Sequence, residues 1–289
     1  MMLKRNEKKS FDSFIIVKII FFAIFLVYAI SLLLPFVWGF FMSLKTRTEF
    51  VLHFDEIFPR DWKFVNYISA WTELATGGSD MITMFGNTIW FSVCIVVVSM
   101  IMSTTAAYVV SRYQFPGKKV IVVIALLTQI IPIFGSFAAI IRITTAVKVY
   151  DTVFMCIALA TSFGYDFLIL TSFFNNLSWE YAEAAFIDGA GHFQTFLMVM
   201  LPQAITPVLT LALTAFITWW KDYYNPLLYL PSYPTLSSGL YLYQIVSIRE
   251  LNWPVLYSGL LLTMVPILVL FFIFQKQILD LQFGGGLKG

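Results

Sequence analysis

Side chains able to do chemistry are few in this sequence, and most are badly spaced for it. The two histidines, His53 and His192, stand far apart, and neither falls in a His/Cys spacing typical of zinc sites. The two cysteines, Cys94 and Cys156, each lie in an apolar run, where a thiol behaves as a small buried hydrophobe, so no disulfide framework is expected. Gly117-Lys118 lacks both the upstream glycine and the following Ser/Thr of a phosphate-cradling GxxxxGK[ST] loop. The reading is therefore of a chain with no catalytic residue, no metal site and no bound cofactor of its own.

The elements around these groups are those of a bilayer protein. Of 289 residues, 60% are hydrophobic and only 12% charged, with a mean hydropathy of +0.83, far from the range of a soluble domain. The 18 Lys+Arg nearly cancel the 16 Asp+Glu, and no basic stripe with interleaved aromatics follows a phosphate backbone, so no nucleic acid partner is expected. A helix crossing hydrocarbon needs ~20 mostly apolar residues. Six such runs occur, roughly Ile19 to Met42, Thr88 to Val110, Val120 to Ile141, Val153 to Phe174, Ile205 to Tyr224 and Val255 to Phe274. They predict an all-α membrane protein of six transmembrane helices. Pro132 in the third run cannot bond the carbonyl of Thr128, so a kink is expected there, leaving Thr128 and Gln129 near irregular backbone that either lines a cavity or merely improves packing.

Charge sets the orientation. Lys4, Arg5, Lys8, Lys9 and Lys18 precede the first run, which has no small-residue cleavage site behind it and reads as an uncleaved span. Arg112, Lys118 and Lys119 lie in the second connection, so both segments face the cytoplasm and six spans return the C-terminus there. The expected organisation is a cytoplasmic tail (1–18), a first transmembrane helix (19–42), an external loop (43–84), a core of five transmembrane helices (85–276) and a cytoplasmic tail (277–289). A second long external stretch runs from Pro231 to Trp253. Trp38, Trp90, Tyr108 and Trp253 near span ends suit interfacial anchoring in membrane lipid.

Between the fourth and fifth spans lies SWEYAEAAFIDGAGHFQTFLMVMLPQAITP, too polar at its start to cross a membrane. Ser178 is a good N-cap and Glu180 sits in the first turn, where the helix dipole favours a carboxylate. A short helix from Trp179 to Asp188 follows, with Trp179, Glu183 and Phe186 sharing one face on a 3.6-residue period. Gly189 and Gly191 end it in a sharp turn. By itself this pattern fits either a projecting helix-turn-helix or a loop on the membrane surface.

The sequence Glu183-Ala184-Ala185, then Gly189, Val199 and Leu201-Pro202, resembles the EAA loop of ABC importer permeases, with Val199 where isoleucine is usual. The resemblance extends to AAYVVSRYQFPGKK, TQIIPIF, VKVYDT, FFNNLSWEYAEAAFIDGAG, WWKDYYNPLLYL, TLSSGLYLY and the C-terminal GGGLKG, in the order of the maltose-type second permease. It covers the chain from about Phe85 onward. Ser178 replaces a common proline, and Lys221 a common asparagine. The resemblance implies a type I importer in the bacterial inner membrane, with a coupling loop at about 175–204. Its partners would be a second permease, two ATPase subunits that bind ATP and Mg, and an extracytoplasmic solute-binding protein. It places Glu183, Ala184, Ala185, Asp188, Gly189, Trp179 and Phe186 in ATPase coupling, with Glu183 pairing a basic residue of the ATPase.

A sugar substrate would meet the polar and aromatic groups of the spans. Asp166 lies inside the fourth, where an ionised carboxylate is costly; a pathway role and a lateral pair with a neighbouring helix both stay open. Gln129 adjoins the expected kink. Trp219, Trp220, Tyr223, Tyr224 and Asn225 offer flat faces and polar edges that suit a sugar ring as well as an aromatic belt, and Lys221-Asp222 suits an outer gate or a partner contact. Importers of a polyol, a glycerol phosphate or a peptide share much of this pattern. A membrane-embedded enzyme would need a catalytic companion for Asp166, and an ion channel would need no ATPase.

Overall fold

A computed structural model describes residues 3–131, 135–246 and 251–284, with side chains described from 14 to 279 within those ranges. Among the described residues the chain is helical, with no strand beyond an isolated bridge between Thr76 and Ser79. It divides into two compact units, residues 1–74 with 248–262, and 75–247 with 263–289. The division differs from the expected loop and core boundaries because the start of the last helix joins the first unit.

The first unit contains α1 (Leu3–Ser43), α2 (Arg47–Leu52) and α3 (Asn66–Glu73). The expected N-terminal tail is thus helix from Leu3 onward. Side chains of α1 are exposed from Phe14 to Val37, as suits a lipid-facing or partner-facing span, and burial begins near its end. There Lys45 is fully buried, its Nζ donating to the carbonyls of His53 (2.8 Å) and Glu56 (2.5 Å). Asn66 Nδ2 donates to the carbonyls of Ser43 (2.7 Å) and Lys45 (2.9 Å). Polar groups removed from water need such partners, and these bonds shape the loop after the first span. Arg60, hydrogen-bonded to Glu56, holds that exposed carboxyl below its usual range. Trp38 and Trp253, expected as lipid anchors, instead meet other rings: Trp38 lies 5.5 Å from Tyr257 and Trp253 stacks on Phe50 at 6.0 Å.

The second unit contains α4 (Met81–Arg112), α5 (Lys118–Ile130), α6 (Phe137–Ala146), α7 (Met155–Leu159), α8 (Tyr165–Asn176), α9 (Glu180–Ile187), α10 (His192–Thr195), a π turn (Phe196–Met200), α11 (Leu201–Trp220), α12 (Tyr224–Tyr229) and α13 (Leu236–Val246). The last helix, α14 (Trp253–Gly284), runs through both units. Asp80 caps α4, accepting from the Thr83 amide at 2.9 Å. α4 is the central element, packing on α7, α8, α11 and α13. Tyr108, expected at the lipid interface, is buried in this core, with its ring 5.5 Å from Phe174 and 4.7 Å from Phe196. The π turn precedes Pro202, which has no N–H to give the carbonyl of Met198, so the helix widens there.

Of the six expected spans, four coincide with continuous helices, and the other two apolar runs are each divided between two shorter helices. Phe14–Ser43, Met81–Arg112, His192–Trp220 and Trp253–Leu279 are long and apolar enough to cross a membrane. The third run divides into α5 and α6, and the fourth into α7 and α8. Pro132, where the kink was expected, lies outside the described residues, but α5 has already ended at Ile130 and Gly135 takes a left-handed φ of 87°. The second break spans Ala160 to Gly164, and Ser103 Oγ of α4 reaches the carbonyls of Thr161 (3.2 Å) and Ser162 (3.3 Å). A break at membrane depth is tolerable only where something accepts or donates to the freed backbone.

Beyond α6 the backbone turns through left-handed Lys148 (φ 59°) and Asp151 (φ 56°). The Asp151 amide donates to the Tyr229 carbonyl at 3.1 Å, and its carboxylate accepts from Ser232 N (3.0 Å) and Oγ (2.7 Å). The VKVYDT segment is thereby tied to the exit of α12.

α13 approaches α4 so closely that a Cβ on Gly239 would lie 2.0 Å from Met84 Sδ and 3.3 Å from its Cε and Cγ. Gly239→Ala should cost about 1–3 kcal/mol by overpacking. Thermal unfolding in detergent should show this loss, and Met84→Ala in the same chain should recover part of it; an unchanged midpoint for Gly239→Ala would contradict the packing.

Candidate functional site

α9 is an eight-residue helix with one face against the protein and one free. Ala182 is buried, and Trp179 and Phe186 pack on the main core with their rings 6.0 Å apart. Glu180, Glu183, Ala184 and Ile187 point outward; Ile187 is 85% exposed and neighbouring Tyr181 53%. This corrects the expected shared face. Of Trp179, Glu183 and Phe186, only Glu183 is presented to solvent, because the two rings find partners inside. The free face instead joins Glu183 to Ile187, with exposed Tyr181 further round the helix, and sequence periodicity missed both apolar residues because they lie off the chosen face. Among the described residues Glu183 has no ion pair or hydrogen bond from its carboxylate.

The helix ends are held locally. Trp179 occupies the cap position in place of the expected Ser178, whose hydroxyl accepts from the Glu180 amide at 3.3 Å. Asp188, exposed, closes the C-terminus through its amide to the Ala184 carbonyl at 3.0 Å. Gly189 follows with φ 86°, and the Ala190 amide returns to the half-buried Ala185 at 2.9 Å. Gly191, by contrast, has an ordinary φ of −75° and caps α10, so only the first of the two glycines makes the left-handed turn.

Two residues at the end of α4 flank this unit. The Arg112 guanidinium donates to the Leu177 carbonyl and lies over the Trp179 ring, 5.2 Å from its centroid. Tyr113 OH is 3.0 Å from His192 Nδ1, and the His192 ring is 5.0 Å from that of Phe186. Arg112 had been legible only as a marker of orientation, since nothing in its local spacing points to a residue 65 positions away.

The pathway candidates separate. Trp220 is 3% exposed, its Nε1 donates to the Thr263 carbonyl at 3.0 Å, and its ring packs on Phe85 and Phe216. It is a packing residue with no face left for a ligand. Trp219 is half-buried against Phe91 at 5.8 Å. Tyr223 and Tyr224 stay exposed, in an aromatic row with Tyr241 (4.7 Å from Tyr223) and Phe137 (5.1 Å from Tyr224). Tyr241 lies within TLSSGLYLY, where sequence spacing alone gives it no role. Asn225 Nδ2 donates to Asp222 Oδ2 at 2.6 Å, while Asp222 Oδ1 accepts from the amides of Tyr224 and Asn225. Asp222 is therefore a helix cap and not a partner for Lys221. Gln129 is exposed one residue before α5 ends. Asp166 is half-buried in the first turn of α8, directly after the break, rather than deep in a continuous span. No cation or hydrogen-bond donor meets its carboxylate among the described residues.

A helical bundle with two broken spans, and a short capped helix between the fourth and fifth, is the permease fold of type I ABC importers. The chain belongs to the family described as binding-protein-dependent transport system inner membrane component, whose model matches residues 102–280. It is thus a multi-pass membrane component of a transport system. It is 27% identical to a diacetylchitobiose uptake system permease protein of Streptomyces coelicolor, over 89% of this chain and 84% of that one. It is 26% identical to a trehalose transport system permease protein of Mycobacterium tuberculosis, over 89% and 93%. With a maltodextrin transport system permease protein of Bacillus subtilis it shares 29% identity over 71% and 75%. Its fold matches the crystal structure of a bacterial ABC transporter involved in the import of the acidic polysaccharide alginate, with a TM-score of 0.76 and 21% identity, covering 90% of this chain and 96% of that chain.

A Cβ at Gly189 would meet no atom within 4 Å, so the penalty for a side chain there is purely conformational. Gly189→Val should strain the turn by about 1–3 kcal/mol, whereas Gly189→Asn, which tolerates left-handed backbone, should largely spare it. Hydrogen exchange across residues 180–195 should rise in the valine variant alone; equal exchange in both variants would show that the turn does not depend on the glycine.

Proposed function

We propose that this chain is one of two permease subunits of an ATP-driven importer for a sugar or oligosaccharide, delivered by an extracytoplasmic binding protein. The observation that carries the coupling role is the free face of α9, where Glu183, without a partner among the described residues, stands one turn from exposed Ile187. A carboxylate set in an apolar patch suits a cleft with a basic residue at its floor. The occupant of that role is an ATPase subunit, two of which bind ATP and Mg in the complex. Glu183, Ala184 and Ile187 make the contact; Trp179, Ala185, Phe186, Asp188 and Gly189 shape it.

Orientation follows from the same contacts. α9 packs beside Arg112 and Tyr113, which open the basic connection carrying Lys118 and Lys119. Both termini and α9 then lie in the cytoplasm of a bacterial plasma membrane, and the tyrosine row lies at the far end of α11. The uptake named for the diacetylchitobiose, trehalose and maltodextrin relatives supports a carbohydrate substrate. So does the row itself, since Tyr223, Tyr224 and Tyr241 present flat faces with hydroxyl edges. Asp166, beside irregular backbone and without a partner among the described residues, serves the pathway as an acceptor for substrate hydroxyls. Closure of the ATPase pair moves the docked helix, and the spans alternate between outward and inward states.

Two substitutions test the two halves of this reading. Glu183→Ala should weaken docking by about 2–5 kcal/mol if the contact is buried; purified complexes should lose ATPase subunits or lose stimulation by loaded binding protein. Parental retention and parental stimulation together would refute the docking role. Asp166→Ala should leave assembly intact and lower uptake by roughly ten- to a hundredfold, the value of hydrogen bonds to a charged acceptor. Failure to assemble would instead identify Asp166 as a structural partner of the second permease.

A further inference from the structure

The segments on either side of α9 are fastened to the last residue of α4 and to the residue that follows it. On the N-terminal side, Arg112 donates to the carbonyl of Leu177 and covers the ring of Trp179 at 5.2 Å. On the C-terminal side, the Tyr113 hydroxyl meets His192 Nδ1 at 3.0 Å, beyond the Gly189 turn. Phe186 bridges the two sides, with its ring 6.0 Å from Trp179 and 5.0 Å from His192. Arg112 has no carboxylate partner among the described residues, and its buried Nε finds no acceptor. The guanidinium is therefore spent on the peptide carbonyl and the indole face, a planar contact that a lysine cannot reproduce.

We infer that Arg112 and Tyr113 form a two-point clamp through which movement of the docked α9 is passed to α4, making them positioning residues for coupling. The inference rests on the reading of α9 as the docking helix. A helix held at one end swivels about that point, whereas one held at both ends carries its neighbour with it. α4 is the element best placed to distribute the movement, because it packs on α7, α8, α11 and α13 and its Ser103 bonds the break before α8. Asp166 begins α8 immediately after that break.

The test measures solute transported per ATP hydrolysed in the intact complex, reconstituted in liposomes with its ATPase subunits and loaded binding protein. Arg112→Ala should keep its ATPase subunits and its basal hydrolysis while transport per ATP falls on the order of tenfold. Arg112→Lys should fall nearly as far, since it keeps charge without the planar contact, and it decides the matter if the alanine variant does not insert. Tyr113→Phe should give a smaller loss, and the double variant with Arg112→Ala should lose more than either alone, as two attachments to one helix require. Glu183→Ala runs alongside. Parental transport per ATP in both arginine variants, with Glu183→Ala defective, overturns the clamp and leaves the docking role standing. Loss of ATPase subunits from Arg112→Lys also overturns it, since Arg112 would then shape the docking face instead of passing on its movement. A normal Glu183→Ala complex overturns the underlying docking reading.

Discussion

Backbone hydrogen bonding in hydrocarbon governs this structure more than any single side chain does. A spanning segment satisfies its peptide groups internally or finds partners for those it frees. α4 takes the first course for 32 residues, and the break between α7 and α8 takes the second. The freed carbonyls of Thr161 and Ser162 are met by a serine of α4, so the broken elements depend on the continuous one. The same dependence recurs at its end, where Arg112 supplies a donor to a carbonyl of the next connection.

That arrangement separates stiffness from mobility in a way a transporter can use. Continuous helices move as rods, while breaks and left-handed turns are where dihedral change is absorbed. Gly135, Asp151 and Gly189 each lie at such a turn, and each stands between elements rather than inside one. Asp166 follows the break between α7 and α8, and Tyr224 packs on Phe137, two residues after Gly135. α9, closed by the Gly189 turn, is short and carries the Glu183 carboxylate outward.

Several residues changed meaning once neighbours were known. Trp220 and Tyr108 have the composition of interfacial anchors, yet burial assigns them to the core. Asp222 beside Lys221 suits an outer gate or a partner contact in sequence, but two amides and the Asn225 side chain hold it as a helix cap. Trp179 and Phe186 share a helical face with Glu183 in projection, and Arg112 and His192 draw the two rings inward. Each correction has one cause: a local pattern states what a side chain offers, and packing decides which partner takes it.

The sequence by itself determined the environment, the helical class, the position of the polar segment between the fourth and fifth spans and the left-handed turn at Gly189. Those properties follow from hydropathy over tens of residues and from glycine's missing Cβ, both of which are local. The family resemblance was likewise legible in ordered short motifs. Tertiary structure alone decided that two of six apolar runs are interrupted, that Ile187 rather than Trp179 and Phe186 lies on the free face, and that Arg112 and Tyr113 hold α9. Long-range pairings such as Arg112 with Leu177 and Tyr113 with His192 join residues 65 and 79 positions apart. Nothing in the spacing of such residues encodes their meeting, because it is fixed by how α4 and α8 pack.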